Sequence, residues 1–414
     1  MANKLILPTG LRVIHLPSDS PVVYCGIAVH AGTRNEAPDQ QGLAHFCEHL
    51  TFKGTQRRTA MRIINDIEGL GGELNAFTNK EDTVFYCAIQ REHYRKAIDV
   101  LLDIVFNSTY PQAEVEKECE VVCDEIESYE DSPAELIYDE FENILFDGHP
   151  LGHNILGTSD QIRRYTSADA LRFTRQWYRP ENCVLFLSGK EEIRMRNNNC
   201  FAQQSEGESP FAIISDREKF GAVANSSLFT LHSSLQIRHR NTHQAHVMIG
   251  TRAFAANDDR RWALYLLNNI LGGPGMNSRL NLSLRERHGL VYTVESSMTS
   301  YSDTGLWAVY FGCDPDDISR CQRLVRRELN RLMEKPLSAA QLKAAKRQLQ
   351  GQLAIACDNR EQYTLDYART FLHTGKGRTL SDVMRHIDSL TALQLQQTAQ
   401  QLFAAERLTT LIYK

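Results

Sequence analysis

Residues 42–55 read GLAHFCEHLTFKGT, and the rest of the chain is organised around this stretch. In a helix, residues four apart share a face, so His45 and His49 lie together with Glu48 beside them. Two neutral imidazole nitrogens can bind Zn²⁺ and leave coordination positions for a third protein ligand and a water molecule. A neighbouring carboxylate can accept the proton of that water. The stretch therefore predicts a metal centre with a general base attached.

The order H-x-x-E-H is the inverzincin signature, but two histidines can also share a polar helix face by chance. A third ligand is expected on an acidic helix at 114–129, which reads EVEKECEVVCDEIESY. Composition alone does not choose among the candidates Glu116, Glu118, Glu120, Glu125 and Glu127. Further along, His149 and His153 lie in a loop rich in glycine and proline, and we expect them to be structural.

Length and composition limit the class of protein. The 414 residues are too many for one hydrophobic core and fit two large domains. No apolar run approaches the ~18 residues of a membrane span, and the start, MANKLILPTG, lacks the apolar core of a signal peptide. The ten cysteines are therefore expected to be reduced and mostly buried. A net charge of −5 is too small to indicate nucleic acid or a membrane surface, so we expect a cytoplasmic protein that binds neither.

Alternating and helical patterns predict the elements of the first half. LPTGLRVIHL and VVYCGIAVHAG predict a pair of strands around a turn at 18–21, and ELNAFT with TVFYCAI predicts a hairpin. NCVLFLS at 182–188 predicts a strand that closes the half. Besides the motif helix, helices are predicted at 59–67, 92–106, 114–129, 132–146 and 166–178.

Three segments carry a resemblance to a known family. HFCEH, followed by GGELNAFT at 71–78 and ECEVVCDEI at 118–126, resembles the pitrilysin-type metallopeptidases, which include pitrilysin, insulysin and the mitochondrial processing peptidases. In that family the third zinc ligand is a glutamate about 75 residues after the second histidine, and a second functional glutamate lies seven residues before it. The resemblance therefore implies one Zn²⁺ per chain, bound by His45, His49 and Glu125, with Glu118 on the same face of its helix.

The implied reaction is hydrolysis of a peptide bond. Glu48 accepts the proton of the zinc-bound water and passes it to the leaving amine. Glu118 orients or polarises the site from outside the ligand shell, unless it is only a solvated or capping carboxylate.

In the same family the substrate adds as an extra strand to a sheet edge. This implies that Asn75 and Ala76 contact the substrate backbone and that Phe77 lines an apolar pocket; the alternative is an ordinary hairpin strand. Arg285 and Tyr292 match the spacing of an arginine and a tyrosine that hold the substrate from the domain opposite the zinc. Arginine donates to a peptide carbonyl, and a tyrosine hydroxyl stabilises an oxyanion. The alternative for these two is a surface salt bridge and a core tyrosine.

The second half repeats the first. AHVMIGTRAF precedes RRWALYLLNNIL as VVYCGIAVHAG precedes the motif, and a strand pair, two long helices and the closing strand LTTLIYK follow. YLLNNIL stands where HFCEH stood, and Gln352 falls where Glu125 should repeat. We therefore expect an α+β fold of two duplicated domains, each a mainly antiparallel β-sheet with helices packed on it. Residues 1–190 are assigned to a catalytic zinc-binding domain, 191–229 to a linker, and 230–414 to a non-catalytic domain that contributes substrate-binding residues.

The resemblance implies a zinc-dependent endopeptidase that cleaves peptides or unfolded polypeptide segments in an enclosed chamber. The chamber is expected between two chains, as a homodimer or as a heterodimer with a related chain. The alternative is a non-catalytic core or scaffold subunit related to the processing peptidases, in which the motifs are typically degraded.

Acidic residues that follow Glu125 closely would favour basic peptides if they formed a wall near the site. A solvated helix face is the commoner explanation for such a run. The residues are Glu127, Glu130, Asp131, Glu135, Asp139 and Glu140.

Overall fold

Two β-sheets, one from each half of the chain and both covered by helices, form the framework of the molecule in this computed structural model. The structure describes residues 2–190, 234–240 and 242–414, so the predicted linker at 191–229 lies outside the described residues. The predicted α+β class with two duplicated domains is confirmed.

The first sheet has six strands, and its closing strand lies in the interior. The order across the sheet is β1 (Asn3–Ile6), β2 (Arg12–Pro17), β6 (Cys183–Gly189), β3 (Val22–Val29), β5 (Thr83–Gln90) and β4 (Glu73–Thr78). The predicted pairing of β2 with β3 is wrong, because β6 lies between them, parallel to β2 and antiparallel to β3. Every residue of β6 is buried, and its largely apolar sequence fits a strand that is covered on both faces.

The helices of the first half agree with the predicted ones to within two residues at each end. The motif helix is the first of them, and a short helix that was not predicted is the sixth. They are α1 (Leu43–Thr51), α2 (Ala60–Glu68), α3 (Tyr94–Asn107), α4 (Gln112–Glu130), α5 (Pro133–Leu145), α6 (Ser159–Ile162) and α7 (Ser167–Trp177).

The second sheet repeats the topology of the first without β1. Its order is β7 (Leu235–Arg238), β11 (Thr409–Tyr413), β8 (Ala245–Ala253), β10 (Gly305–Cys313) and β9 (Val291–Ser300). As in the first sheet, the closing strand is parallel to one neighbour and antiparallel to the other. The helices of this half are α8 (Arg260–Gly272), α9 (Ile318–Glu334), α10 (Ala339–Ala356), α11 (Arg360–Thr374), α12 (Leu380–Ser389) and α13 (Ala392–Leu402).

Each half covers the sheet of the other with one helix. Phe141 of α5 is fully buried in a cluster with Met248 and Leu411 of the second sheet. In the equivalent place, Phe371 of α11 packs in a cluster with Phe186 of the first sheet. A cut of the chain at residue 190 would therefore remove α11 from the first sheet. The domain boundaries at residues 190 and 230 remain a prediction.

Two expectations from composition concern cysteines and membranes. All nine cysteines in the described part of the chain are free, and eight of them are buried. In the same part of the chain, no helix is both long and apolar enough to cross a membrane.

Candidate metal centre

Helix α1 presents the two histidines of the motif side by side. Eight of its nine residues are buried, among them His45 and Glu48 at 8% exposure each. The His45 and His49 rings meet edge to face, with centroids 4.6 Å apart. The helical spacing therefore brings both imidazoles to one point, as the sequence predicted.

Helix α4 brings a carboxylate to the same point. Glu125 Oε2 lies 3.8 Å from His45 Nε2 and 3.4 Å from His49 Nε2. Tetrahedral Zn²⁺ with ligand bonds of about 2.0–2.2 Å has ligand atoms about 3.4 Å apart, so these distances suit the ion. Within the described residues, these three are the group that could hold a metal. The fold thus selects Glu125 from the five glutamates that composition left open.

The charge state of His45 also suits a metal. Burial, with the nearby His49, lowers the pKa of His45 to about 4, so its imidazole is neutral, as a ligand must be. His45 Nδ1 is buried without a hydrogen-bond partner. Burial lowers the pKa of His49 too, but hydrogen bonds with Glu118 and Glu125 outweigh it and raise that pKa to about 9. Two imidazoles and a carboxylate that leave a fourth position open are the donor set of a catalytic zinc site.

Glu118 orients the His49 ring. Its Oε1 lies 3.1 Å from His49 Nδ1, and its Oε2 forms an ion pair with Lys53 Nζ at 2.6 Å. Burial raises the pKa of Glu118, but the contacts with His49 and Lys53 outweigh it and leave the pKa below its usual value. With only 7% of its side chain exposed, Glu118 is not a solvated carboxylate. A proton on Nδ1 directed at Glu118 leaves Nε2 free to bind a metal.

Glu48 is held by a residue that the sequence analysis did not single out. Thr78, the last residue of β4, donates a 2.6 Å hydrogen bond from Oγ1 to Glu48 Oε2. Burial raises the pKa of Glu48, and the bond from Thr78 lowers it in part. Alternation along β4 was the available signal, since it places Thr78 on the same face as Leu74 and Ala76.

The group that anchors the start of α1 was not predicted from the sequence either. The fully buried Glu36 carboxylate accepts hydrogen bonds from Gly42 N at 3.0 Å and Ala44 N at 2.7 Å. His153 Nε2 lies 2.9 Å from the same carboxylate, which confirms that this histidine is structural. Glu36 therefore fixes the N-terminus of the helix that carries the motif.

The strand of the expected substrate site lies at a sheet edge. In the described part of the chain, β4 pairs only with β5, so its other edge is unpaired. Asn75 is exposed there, and Ala76 is half-buried. Phe77 is also half-buried, but it packs on Tyr86 and under the guanidinium of Arg369 from α11. It lies on the face opposite Thr78, away from Glu48.

Arg285 and Tyr292 lie on elements of the second half of the chain, whereas the metal ligands lie on α1 and α4 of the first. Arg285 lies in a π-helical turn, Asn281–Glu286, with its Nε 3.7 Å from Glu286 Oε1. Tyr292 is 93% exposed on β9, an edge strand of the second sheet. The alternative of a core tyrosine is therefore wrong, whereas Arg285 does take part in a surface ion pair.

One of the acidic residues that follow Glu125 is engaged by the second half of the chain. Glu140 forms ion pairs with Arg238 and Arg240, and it accepts a hydrogen bond from Tyr413 of the second sheet. This carboxylate therefore joins the two halves of the chain.

Comparison with known proteins fits both the fold and the site. The family model described as insulinase, peptidase family M16, matches residues 12–159, which include all four motif and ligand residues. The model described as the M16 inactive domain matches residues 164–349. An uncharacterized zinc protease of Streptomyces coelicolor is 32% identical over 407 residues, covering 96% of this chain and 86% of the relative. The chain belongs to peptidase family M16.

Another sequence relative and two solved structures match this chain along its whole length. The uncharacterized zinc protease YmxG of Bacillus subtilis is 29% identical over 421 residues, covering 100% of this chain and 98% of YmxG. A protease from Helicobacter pylori has a TM-score of 0.86 at 20% identity, covering 100% of this chain and 99% of that one. A structure described as the peptidase M16 inactive domain from Pseudomonas fluorescens has a TM-score of 0.84 at 18% identity, covering 100% of this chain and 97% of that one. The structures share the fold, and the names of the sequence relatives support a metallopeptidase.

Proposed function

We propose that this M16 chain is a zinc-dependent endopeptidase of the H-x-x-E-H type, which cleaves peptides or unfolded polypeptide segments. The observation that carries the proposal is the convergence of Glu125 on His45 and His49, next to the buried Glu48. The three ligand atoms fit one ion, and beside them lies a fourth residue, a buried carboxylate that is not one of the ligands. A structural zinc site has no need of such a group.

Each site residue has a distinct role in this proposal. His45, His49 and Glu125 would hold a Zn²⁺ ion, which would supply Lewis-acid chemistry for the activation of water and the polarisation of the substrate carbonyl. Glu48 is the general base, and its raised pKa suits a group that takes up a proton and later donates it to the leaving amine. Glu118 keeps the His49 ring in its ligating orientation.

Substrate binding is proposed at the free edge of β4. An extended peptide that adds there hydrogen-bonds to the main chain at Asn75 and Ala76, and such contacts require little of the peptide's sequence. Phe77 would then act through the packing of the strand, because its ring lies on the far face.

The proposed assembly is a pair of chains, either two copies or this chain with a related one. Exposed on the second half, Arg285 and Tyr292 are free to reach the zinc and substrate of the partner, as donors to the peptide carbonyl and the oxyanion. The two chains would enclose the chamber, and we place the assembly in the cytoplasm. A non-catalytic scaffold subunit, the second candidate, is disfavoured because all four site residues are present.

Metal analysis combined with the Glu48→Gln variant tests the function. We expect the wild-type protein to contain one zinc per chain and to cleave a peptide mixture in a chelator-sensitive manner. Glu48→Gln should keep the zinc, because Glu48 is not a ligand, yet lose at least about 100-fold in kcat, the lower end of what general acid–base catalysis contributes.

Glu116→Gln is the matched control, since Glu116 is an exposed carboxylate on α4. It should change neither zinc content nor kcat. A Glu48→Gln protein that cleaves at a rate near wild type would refute the assignment, as would a wild-type protein that binds no zinc.

A further inference from the structure

The sheet holds the base of the proposed site through Thr78. Its hydroxyl donates to Glu48 Oε2 at 2.6 Å and lies 3.3 Å from Oγ1 of Thr83, its cross-strand partner. Thr83 donates in turn to the Ala31 carbonyl at 2.9 Å. Because Thr78 is 8% exposed and Thr83 is fully buried, water does not compete well for these groups. Glu48 is therefore oriented by β4 and not only by its own helix.

The β4–β5 turn, residues 79–82, begins directly after Thr78 and sits tightly against the first half. Backbone amides of Thr33 and Arg34 donate to carbonyls of this turn at 3.2 and 2.8 Å. A Cβ at Gly32 would lie only 2.1 Å from the Asn79 carbonyl oxygen, so only glycine allows this approach. Any displacement of the turn would therefore displace Thr78, the residue directly before it.

The second half binds the same turn through two neighbouring carboxylates. Glu81 accepts hydrogen bonds from Ser302 N at 3.0 Å and from Ser302 Oγ at 2.6 Å. Asp82, with 2% of its side chain exposed, lies 2.9 Å from Arg369 Nε and 2.8 Å from His373 Nε2. Although burial raises the pKa of Asp82, the contacts with His373 and Arg369 hold it well below its usual range.

The turn that carries Ser302 occupies the same place in the second half as the β4–β5 turn does in the first. Ser302 lies in the β9–β10 turn, which corresponds to the β4–β5 turn, so the two turns meet each other. Arg34 joins them, because its Nη1 lies 2.6 Å from Glu81 Oε1 and 2.8 Å from Asp303 Oδ1. The half without metal ligands is therefore bonded to the strand end that carries Thr78.

We infer that Thr78 is a positioning residue for Glu48 and that the second half sets its position by binding the β4–β5 turn. The inference rests on the proposed function, in which Glu48 is the base. Bonds from Arg369 and Ser302 restrain the turn, the turn restrains Thr78, and Thr78 aims the carboxylate. A misplacement of about 1 Å in a catalytic group costs on the order of 100-fold in rate, so this restraint matters for the reaction.

The competing explanation is that Thr78 is a buried hydroxyl with the nearest carboxylate as its acceptor. In that case its loss lowers stability but leaves the orientation of Glu48 unchanged. The two explanations differ in the position of the Glu48 carboxylate and in kcat measured on folded protein.

The first experiment compares Thr78→Val with Thr78→Ser in the full-length, zinc-loaded protein. Valine keeps the β-branched shape and removes the hydroxyl, whereas serine keeps the hydroxyl. For Thr78→Val we expect unchanged zinc content, an unchanged KM, and a kcat about 10- to 100-fold lower, the range for a lost hydrogen bond to a charged group. Thr78→Ser should restore most of kcat.

Crystal structures of the same variants without metal provide a readout that does not depend on activity. In Thr78→Val the Glu48 carboxylate should move by about 1 Å or more, the displacement at which rates fall steeply, and in Thr78→Ser it should stay in place. A Thr78→Val structure in which Glu48 has not moved overturns the inference, whatever the value of kcat.

The second experiment weakens the grip of the second half on the turn. Arg369→Met removes a charged partner of the buried Asp82, and Ser302→Ala is a milder variant in case the first does not fold. Both should lower kcat without a change in KM or zinc content, Ser302→Ala by only about a few-fold, because the backbone amide of residue 302 still donates to Glu81. Arg240→Met is the matched control, because it removes an ion pair with Glu140 that joins the halves elsewhere.

A fall in kcat that is equally large in Arg240→Met would show that any contact between the halves has this effect, and would overturn the role of the turn. So would an unchanged kcat in both turn variants. If the wild-type protein does not cleave peptides, the proposed function fails, and the crystallographic position of Glu48 still decides whether Thr78 positions it.

Discussion

The first helix of each half lies after the same strand of the same sheet topology, but α1 carries the metal ligands and α8 does not. The segment before α1 is long, spanning residues 30–42, whereas the segment before α8 spans only 254–259. The longer segment contains Glu36, which holds the start of α1, and Arg34, which joins the β4–β5 turn to the β9–β10 turn. The metal centre thus depends on an added anchoring segment as well as on its ligands.

Helix α8 uses the equivalent positions for packing. Leu266 and Leu267 are fully buried, and Asn268 accepts a 3.1 Å hydrogen bond from the indole of the buried Trp307. Helix α1 instead buries His45 and Glu48, polar groups whose desolvation is costly. The difference indicates a division of labour in which the second half is built for packing and the first accepts polar burial for its site.

The largest expected effect contrasts the third ligand with its counterpart. Glu125→Gln removes an anionic ligand, so zinc affinity should fall by more than the roughly 10- to 100-fold that loss of an outer partner costs. Gln352→Ala, at the corresponding place in α10, should leave zinc content unchanged. Competition titration with a chromogenic chelator measures both. Equal loss of zinc in the two variants would break the comparison between the halves.

A smaller effect tests the exchange of helices between the halves. Phe141→Ala on α5 should lower the free energy of unfolding by about 3–5 kcal/mol, since it empties a fully buried aromatic site. Hydrogen exchange should then quicken in β8 and β11 of the second sheet, although α5 belongs to the first half of the chain. Phe371→Ala should do the reverse and loosen the first sheet. Faster exchange confined to α5 itself would contradict the exchange of helices.

The smallest effect concerns the anchor of α1. Glu36→Ala leaves the amides of Gly42 and Ala44 without their acceptor, so unfolding free energy should fall by about 1–3 kcal/mol. Denaturant unfolding measures it. Glu120→Ala is the control, because that carboxylate is exposed and pairs weakly with Arg163; it should stay within about 0.5 kcal/mol of wild type. Equal changes in both variants would mean that Glu36 is no special anchor.

Local sequence patterns were enough to predict many of the helices and strands. Helices such as α3, with Val100, Leu101 and Ile104 on one buried face, follow from a repeat of 3.6 residues, and the β4–β5 hairpin follows from alternation. Strand pairing could not be predicted from such local patterns. The insertion of β6 between β2 and β3 joins segments more than 150 residues apart, and nothing in the neighbouring residues specifies such a partner.

For the site, the sequence by itself determined that His45, Glu48 and His49 share one face, because helical spacing is a local property of the chain. It also determined that only one of the two repeats carries this set. The tertiary structure decided which of five glutamates meets the histidines, that Thr78 holds Glu48, and that the β9–β10 turn of the other half binds the strand end beside it. These contacts depend on how distant elements pack, and packing is a property of the whole chain.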